Sequence, residues 1–134
     1  MLKRIAERAE KVAEKYGPFV SDHEIYAVLK EELDELWDSI KAGEPDKNEA
    51  FDIAVAAYRA YTQDNIINGI NADHKLKFGY NFKSEHDAYA QLLARCDFYW
   101  ESVKADSSED MWLYHICDIA GSIYKMLEAE DVVI

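Results

Sequence analysis

Residues that break helices are nearly missing from this chain: two prolines and five glycines stand among 134 residues. With so little punctuation, and with long stretches of helical spacing, the chain is expected to be nearly all α. Apolar runs long enough for a membrane span are missing too. The opening MLKRIAERAEKVAEKYG is a charged amphipathic pattern without a secretory core, so no membrane partner is expected and a cytoplasmic location is. Basic residues are the minority, 15 Lys and Arg against 27 Asp and Glu. The resulting net charge of -12 disfavours nucleic acid and anionic lipid as partners and favours hard cations. The only two cysteines, Cys96 and Cys117, show no metal-type clustering and are expected as reduced, packed thiols.

What is present is enough apolar matter to fold, 49% hydrophobic and 13% aromatic residues beside 31% charged ones. One domain of this length buries roughly two-thirds of the surface of its unfolded chain. The periodicity predicts five helices, over about 2–16, 22–42, 46–63, 85–105 and 109–129. Gly17 and Pro18 close the first, and Ser21, three residues before Glu24, has the capping-box spacing that starts the second. Gly43 as a stop and Pro45 near a first-turn position make the second and third a tight hairpin. The irregular stretch NGINADHKLKFGYNF is expected as a surface crossover between two halves, with the lesser alternative that part of it covers a ligand site.

Those halves look like copies. HEIYAVLKEELDELWDSIKA (23–42) and HDAYAQLLARCDFYWESVKA (86–105) are identical at nine of twenty positions. Three residues are then inserted, and DIAVAAY (52–58) faces DIAGSIY (118–124) with four of seven identical. The expected architecture is therefore a four-helix core of two helical hairpins, about 21–63 and 84–129, related by a pseudo-twofold axis, with the N-terminal helix alongside.

Acidic residues stand where that core should be. On the second helix Ile25, Val28, Leu29, Leu33, Leu36 and Ile40 define one apolar face, and Glu32 falls inside it, four residues after Val28 and four before Leu36. Glu35 lies at its edge, whereas Glu31, Asp34 and Asp38 point to solvent. On the third helix AFDIAVAAY is apolar or small except for Asp52, with Glu49 one turn earlier. An ionised carboxylate in such surroundings needs a partner or becomes protonated. Measured from the turn, Glu35 and Asp52 lie at nearly the same level, about 13 and 12 Å down their helices. Glu32, Glu35, Glu49 and Asp52 are thus expected to converge. Lys30 and Arg59 are the nearest bases in sequence, neither on an obviously matching face, and an oxygen-only cluster suits Mg²⁺ or Mn²⁺.

Glu32-Leu-Asp-Glu35 followed by Glu49-Ala-Phe-Asp52 is an ExxE plus ExxD pattern. It resembles the MazG-like all-α nucleoside triphosphate pyrophosphohydrolases, the superfamily that includes the dimeric-type dUTPases, over about residues 16–61. The stretch 15–41 is also similar to small phage and bacterial members. The resemblance implies Mg²⁺ held by Glu32, Glu35, Glu49 and Asp52. It also implies cleavage of a nucleoside or deoxynucleoside triphosphate to monophosphate and pyrophosphate, with Glu32 or Glu35 orienting or deprotonating the attacking water. The second copy departs from this pattern: Arg95, Phe98 and His115 replace Glu32, Glu35 and Glu49, and only Asp118 answers Asp52. No metal is expected there. Arg95 becomes a phosphate-contact candidate across the axis, against the alternative of a surface arginine.

The equivalent Trp37 and Trp100 are expected to pack rather than to stack on a base. His23 and His86 are expected to make first-turn hydrogen bonds, and His115 is not expected to bind a transition metal. Asn65, Asn68 and Asn71 are read as turn residues before base-reading ones. A homo-oligomer is compatible with the aromatic content. The main alternative to a hydrolase is a noncatalytic helical nucleotide-sensing or interaction module, and the third reading is a purely structural bundle.

Overall fold

The structure is a computed structural model, and it describes residues 1–65, 76–107 and 111–131. Its elements are all helical: α1 (Leu2–Tyr16), α2 (Asp22–Lys41), α3 (Lys47–Asn65), α4 (Glu85–Lys104) and α5 (Met111–Asp131). All five predicted helices are present, with ends shifted by at most two residues. No described helix is long and apolar enough to cross a membrane.

Starts and stops follow the capping chemistry. The Ser21 hydroxyl accepts from Glu24 N at 3.1 Å, and Glu24 reaches back to Val20 N at 3.4 Å. Ser84 accepts from Asp87 N at 3.0 Å, and Asp87 reaches back to Lys83 N at 2.9 Å. These are two equivalent serine caps, each backed by an acid that reaches to the residue before the cap, a variant of the capping box. Beyond α2 the chain turns through Gly43 at φ 78°, and beyond α4 it makes the same turn at Asp106 with φ 56°. Glycine adopts that left-handed geometry without strain, whereas aspartate does so at a cost. Pro45 stands just ahead of α3, next to its cap. Asp46 caps that helix, accepting from Asn48 N at 2.9 Å through its carboxylate and from Glu49 N at 3.1 Å through its carbonyl.

The two hairpins, α2 with α3 and α4 with α5, pack through α3 against α5 and α2 against α4, and α1 lies on α3. Small residues on α3 (Ala50, Ala54, Ala57, Ala60) are buried beside Ile53 and face a buried stripe of α5 that includes Ile116, Ile119 and Ile123. With so many alanines the two central helices can approach closely. From α2, Leu29, Leu33 and Leu36 enter this core with no exposed surface. Through Ile5 and Ala9, one helical turn apart, α1 joins the same core, and Arg4 donates to the Tyr124 hydroxyl at 3.0 Å.

Aromatic contacts across α2 and α4 have the reciprocal pattern a twofold axis produces. Trp37, late in α2, stacks on Tyr89 with ring centroids 4.7 Å apart and meets His86 edge-on at 5.5 Å. Trp100, late in α4, stacks on Tyr26 at 4.4 Å and meets His23 edge-on at 5.8 Å. Both tryptophans are therefore packing groups. The two histidines pack against them rather than serving only the first turns. Cys96 and Cys117 are buried thiols, and burial pushes Cys96 far up from the usual thiol range, leaving it unreactive.

Candidate metal centre

The hairpin turn sets the register of α2 against α3. The Ser39 hydroxyl donates to Leu36 O at 2.7 Å and accepts from Asp46 N at 3.1 Å, tying the end of one helix to the start of the next. One consequence is that Glu32, Glu49 and Asp52 each offer a carboxylate oxygen within 4.8 Å of the others. Among the described residues these three form the one group with metal-ligand geometry, and His115 is outside it. Glu35 is not in the tight group. It stays exposed one turn further along α2, near enough to hydrogen-bond Glu49. Four carboxylates expected to converge are thus three at the centre and one at its rim.

Electrostatics register the crowding. Burial pushes Glu32 up to about 8, with the charges of Glu35 and Asp52 and contacts with Glu49 adding to the shift. Burial and hydrogen bonding to Glu35 push Glu49 up to about 7. Asp52 is raised by burial, an effect the nearby Arg8 guanidinium opposes. Glu32 Oε2 and Glu49 Oε2 are shielded from solvent and have no hydrogen-bond partner. A buried carboxylate oxygen without a donor is costly, and either a proton shared among the acids or a bound cation would relieve that cost. Hard oxygen donors from three carboxylates suit Mg²⁺ or Mn²⁺, so the residues present fit such an ion.

The centre opens into a cavity of about 560 Å³ enclosed by α1, α2, α3 and the 17–20 turn, within the range of small-molecule sites. Glu32 and Asp52 stand at one end, and Val12, Phe19, Val28 and Val55 provide apolar wall. Val28 is therefore not a core residue as the spacing suggested; it is half-buried and shares the cavity wall with Glu32. The cavity also holds two arginines that sequence reasoning did not place, Arg8 and Arg59. Arg59 follows Asp52 by seven residues, two helical turns, so it lies on the same stripe of α3, and that spacing was the available signal. How α1 docks follows from no local pattern, and Arg8 had no such signal. Lys30 pairs instead with Asp34 at 2.6 Å on the exposed face of α2.

Arg95 is not part of this lining; its Nη1 donates to Gln91 O at 3.3 Å, one turn back on its own helix. Phe98, the counterpart of Glu35, is 49% exposed and stacks on Trp112 at 4.9 Å. Asp118, the counterpart of Asp52, is buried and accepts from Phe78 N at 2.7 Å. Asn68 and Asn71, and the side chain of Asn65, lie outside the described residues. No family model, no curated protein and no solved structure matches the chain.

Proposed function

We propose that this chain is a divalent-cation-dependent hydrolase that cleaves a nucleoside or deoxynucleoside triphosphate between its α and β phosphates, yielding the monophosphate and pyrophosphate. The observation that carries this reading is the pair of orphaned, buried oxygens Glu32 Oε2 and Glu49 Oε2 in a cluster whose Glu32 and Asp52 line an open cavity. The ExxE and ExxD resemblance supplies the reaction. Glu32, Glu49 and Asp52 would hold Mg²⁺ or Mn²⁺, with Glu35 able to join them from the rim. When bound, the cation supplies charge neutralisation for a polyanion and polarises a phosphoryl oxygen. Glu35 keeps an exposed carboxylate beside the cluster, where it can orient a water or take its proton. The apolar walls shield the reacting group from bulk water, and the arginines oppose the repulsion that the acidic chain would otherwise exert on phosphates.

The test is release of monophosphate and pyrophosphate from a panel of canonical and deaminated nucleoside and deoxynucleoside triphosphates with Mg²⁺, comparing wild type with Glu35→Gln. Expected is turnover that requires the metal and drops by at least about 100-fold in the folded variant, the scale of a lost acid or base. No turnover of any nucleotide with Mg²⁺ or Mn²⁺ would overturn the hydrolase reading. Tight nucleotide binding without product would then favour the noncatalytic sensor.

A further inference from the structure

The cavity has a second charged end, and its geometry is more constrained than a surface arginine's. The Arg59 guanidinium carbon sits 3.8 Å from the centroid of the Phe19 ring, so one face of the cation is covered. Its Nη1 donates to Gly17 O at 3.3 Å, a long bond, and its Nε is buried with no hydrogen-bond partner. Phe19 is itself fixed: its N–H donates to Gln63 Oε1 at 2.8 Å, and Gln63 Nε2 donates to Phe19 O at 2.9 Å. The seat thus exists before any ligand arrives. Glu24, a carboxylate in the same lining, accepts from Val20 N at 3.4 Å and also acts on Arg59 through its charge, so an incoming anion competes with it for the guanidinium.

A guanidinium has five N–H donors in a planar fork suited to phosphate oxygens. Holding one in place with donors unspent, inside a cavity, lowers the ordering cost when an anion binds. Arg8 also lines the cavity but is exposed and lies near Asp52, at the carboxylate end. Arg59 stands about 10.5 Å from Asp52 along the axis of α3, at 1.5 Å per residue. A single phosphate is too small to touch both ends, whereas a phosphoanhydride chain can.

We propose that Arg59 is the anion-holding end of this cavity, receiving one phosphate group of a polyphosphate ligand whose other end lies at the cation held by Glu32, Glu49 and Asp52. The inference rests on the cation reading of that cluster and extends the hydrolase reading to a residue outside the acidic pattern. Arg59 is in these terms a binding residue for the far end of the phosphate chain.

Titration calorimetry with Mn²⁺ and inorganic tripolyphosphate tests it, using wild type, Arg59→Met and Arg59→Gln. Mn²⁺ alone is followed by electron paramagnetic resonance. In Arg59→Met, which keeps an apolar stem on Phe19, tripolyphosphate affinity is expected to fall about tenfold or more, as for a lost charged hydrogen bond. Mn²⁺ affinity is expected to hold within about twofold, because the cation end is two turns away. A folded variant with tripolyphosphate affinity within twofold of wild type overturns the proposal, and so does an equal loss of Mn²⁺ affinity, which would make Arg59 a support of the fold. Arg59→Gln keeps a donor for Gly17 O and is judged by the same limits if the methionine variant does not fold. Wild type that fails to bind tripolyphosphate in the presence of Mn²⁺ also overturns it. Nucleotide turnover with unaltered tripolyphosphate binding in the variants removes this inference and leaves the hydrolase; binding through Arg59 without turnover does the reverse.

Discussion

The same hairpin stands in two states within one molecule. In the first, Asp52, Val55 and Ala56 of α3 face an open cavity. Their counterparts on α5 are Asp118, Gly121 and Ser122, and there the space is filled. Phe78 lies against Gly121 so closely that a Cβ there would meet its ring at 2.3 Å. Its N–H is bonded to Asp118, and Tyr80 N donates to the Ser122 hydroxyl at 3.1 Å. The difference comes from what precedes each hairpin. Ahead of α2 stands a helix, which packs on α3 and sends Arg8 and Val12 to the cavity beside Asp52 without filling it. Ahead of α4 the described residues 76–82 are non-helical, and their backbone and Phe78 press into the equivalent groove. One aspartate is left facing acids and a cavity; the other has a backbone donor. Equivalent carboxylate positions in the two hairpins thus have different surroundings: a crowded acidic cluster for Asp52 and a backbone donor for Asp118.

Removing the filler is the largest test of this contrast. Phe78→Ala should destabilise the protein by about 3–5 kcal/mol, the cost of a large buried ring, measured by urea unfolding. Mn²⁺ affinity at the first hairpin should be unchanged. A cost below about 1 kcal/mol would mean that the second groove is not closed by this side chain. Exchanging the roles of the aspartates comes next. Asp118→Ala orphans the Phe78 N–H and should cost about 1–3 kcal/mol without weakening Mn²⁺. Asp52→Ala should weaken Mn²⁺ strongly and leave the metal-free melting temperature equal or higher, since it relieves repulsion. Equal stability losses in both variants would erase the distinction.

Proton linkage sharpens the comparison further. In the folded, cation-free protein Glu32 and Glu49 are raised to about 8 and about 7 from 4.5. A folded-state value above the unfolded one gives stability that is complete below about pH 4.5 and is lost as pH rises through those values. Cation-free protein should therefore lose a few degrees of melting temperature between pH 6 and 8.5, a slope that Glu32→Gln should flatten. Saturating Mg²⁺ should reduce or reverse it, because binding needs the ionised carboxylates. A metal-free melting temperature that rises over this interval would contradict the crowding of the acids. The smallest effect is at the equivalent turns. Asp106→Gly gives the second turn the residue the first already has and should stabilise by about 0.5 kcal/mol, whereas Gly43→Asp should destabilise by a similar amount.

Much of this arrangement was legible before any coordinates. Ser21 with Glu24 marked a helix start because capping is local chemistry. The recurring His, Tyr, Trp, Ser and Lys marked a repeat, which the reciprocal Trp37 and Trp100 contacts display. Glu32 and Asp52 were legible as anomalies because each interrupts an apolar pattern. The rim position of Glu35 was not, since it depends on the rotation of α2 against α3. Val28 belongs to the apolar row yet lines a cavity, because periodicity cannot distinguish an apolar wall from a core.

By itself the sequence determined the helices, their caps, the repeat and the carboxylates that lack an apolar reason to be where they are. All of these are properties of residues within a few turns of one another or of two segments compared in register. Only the tertiary structure decided that α1 would leave a cavity over the first hairpin while Phe78 filled the second, and that Arg59 would sit on Phe19 within reach of that cavity. Those outcomes depend on how helices dock and on which side chain occupies the space between them, and packing of that kind is settled by the assembled surfaces rather than by spacing along the chain.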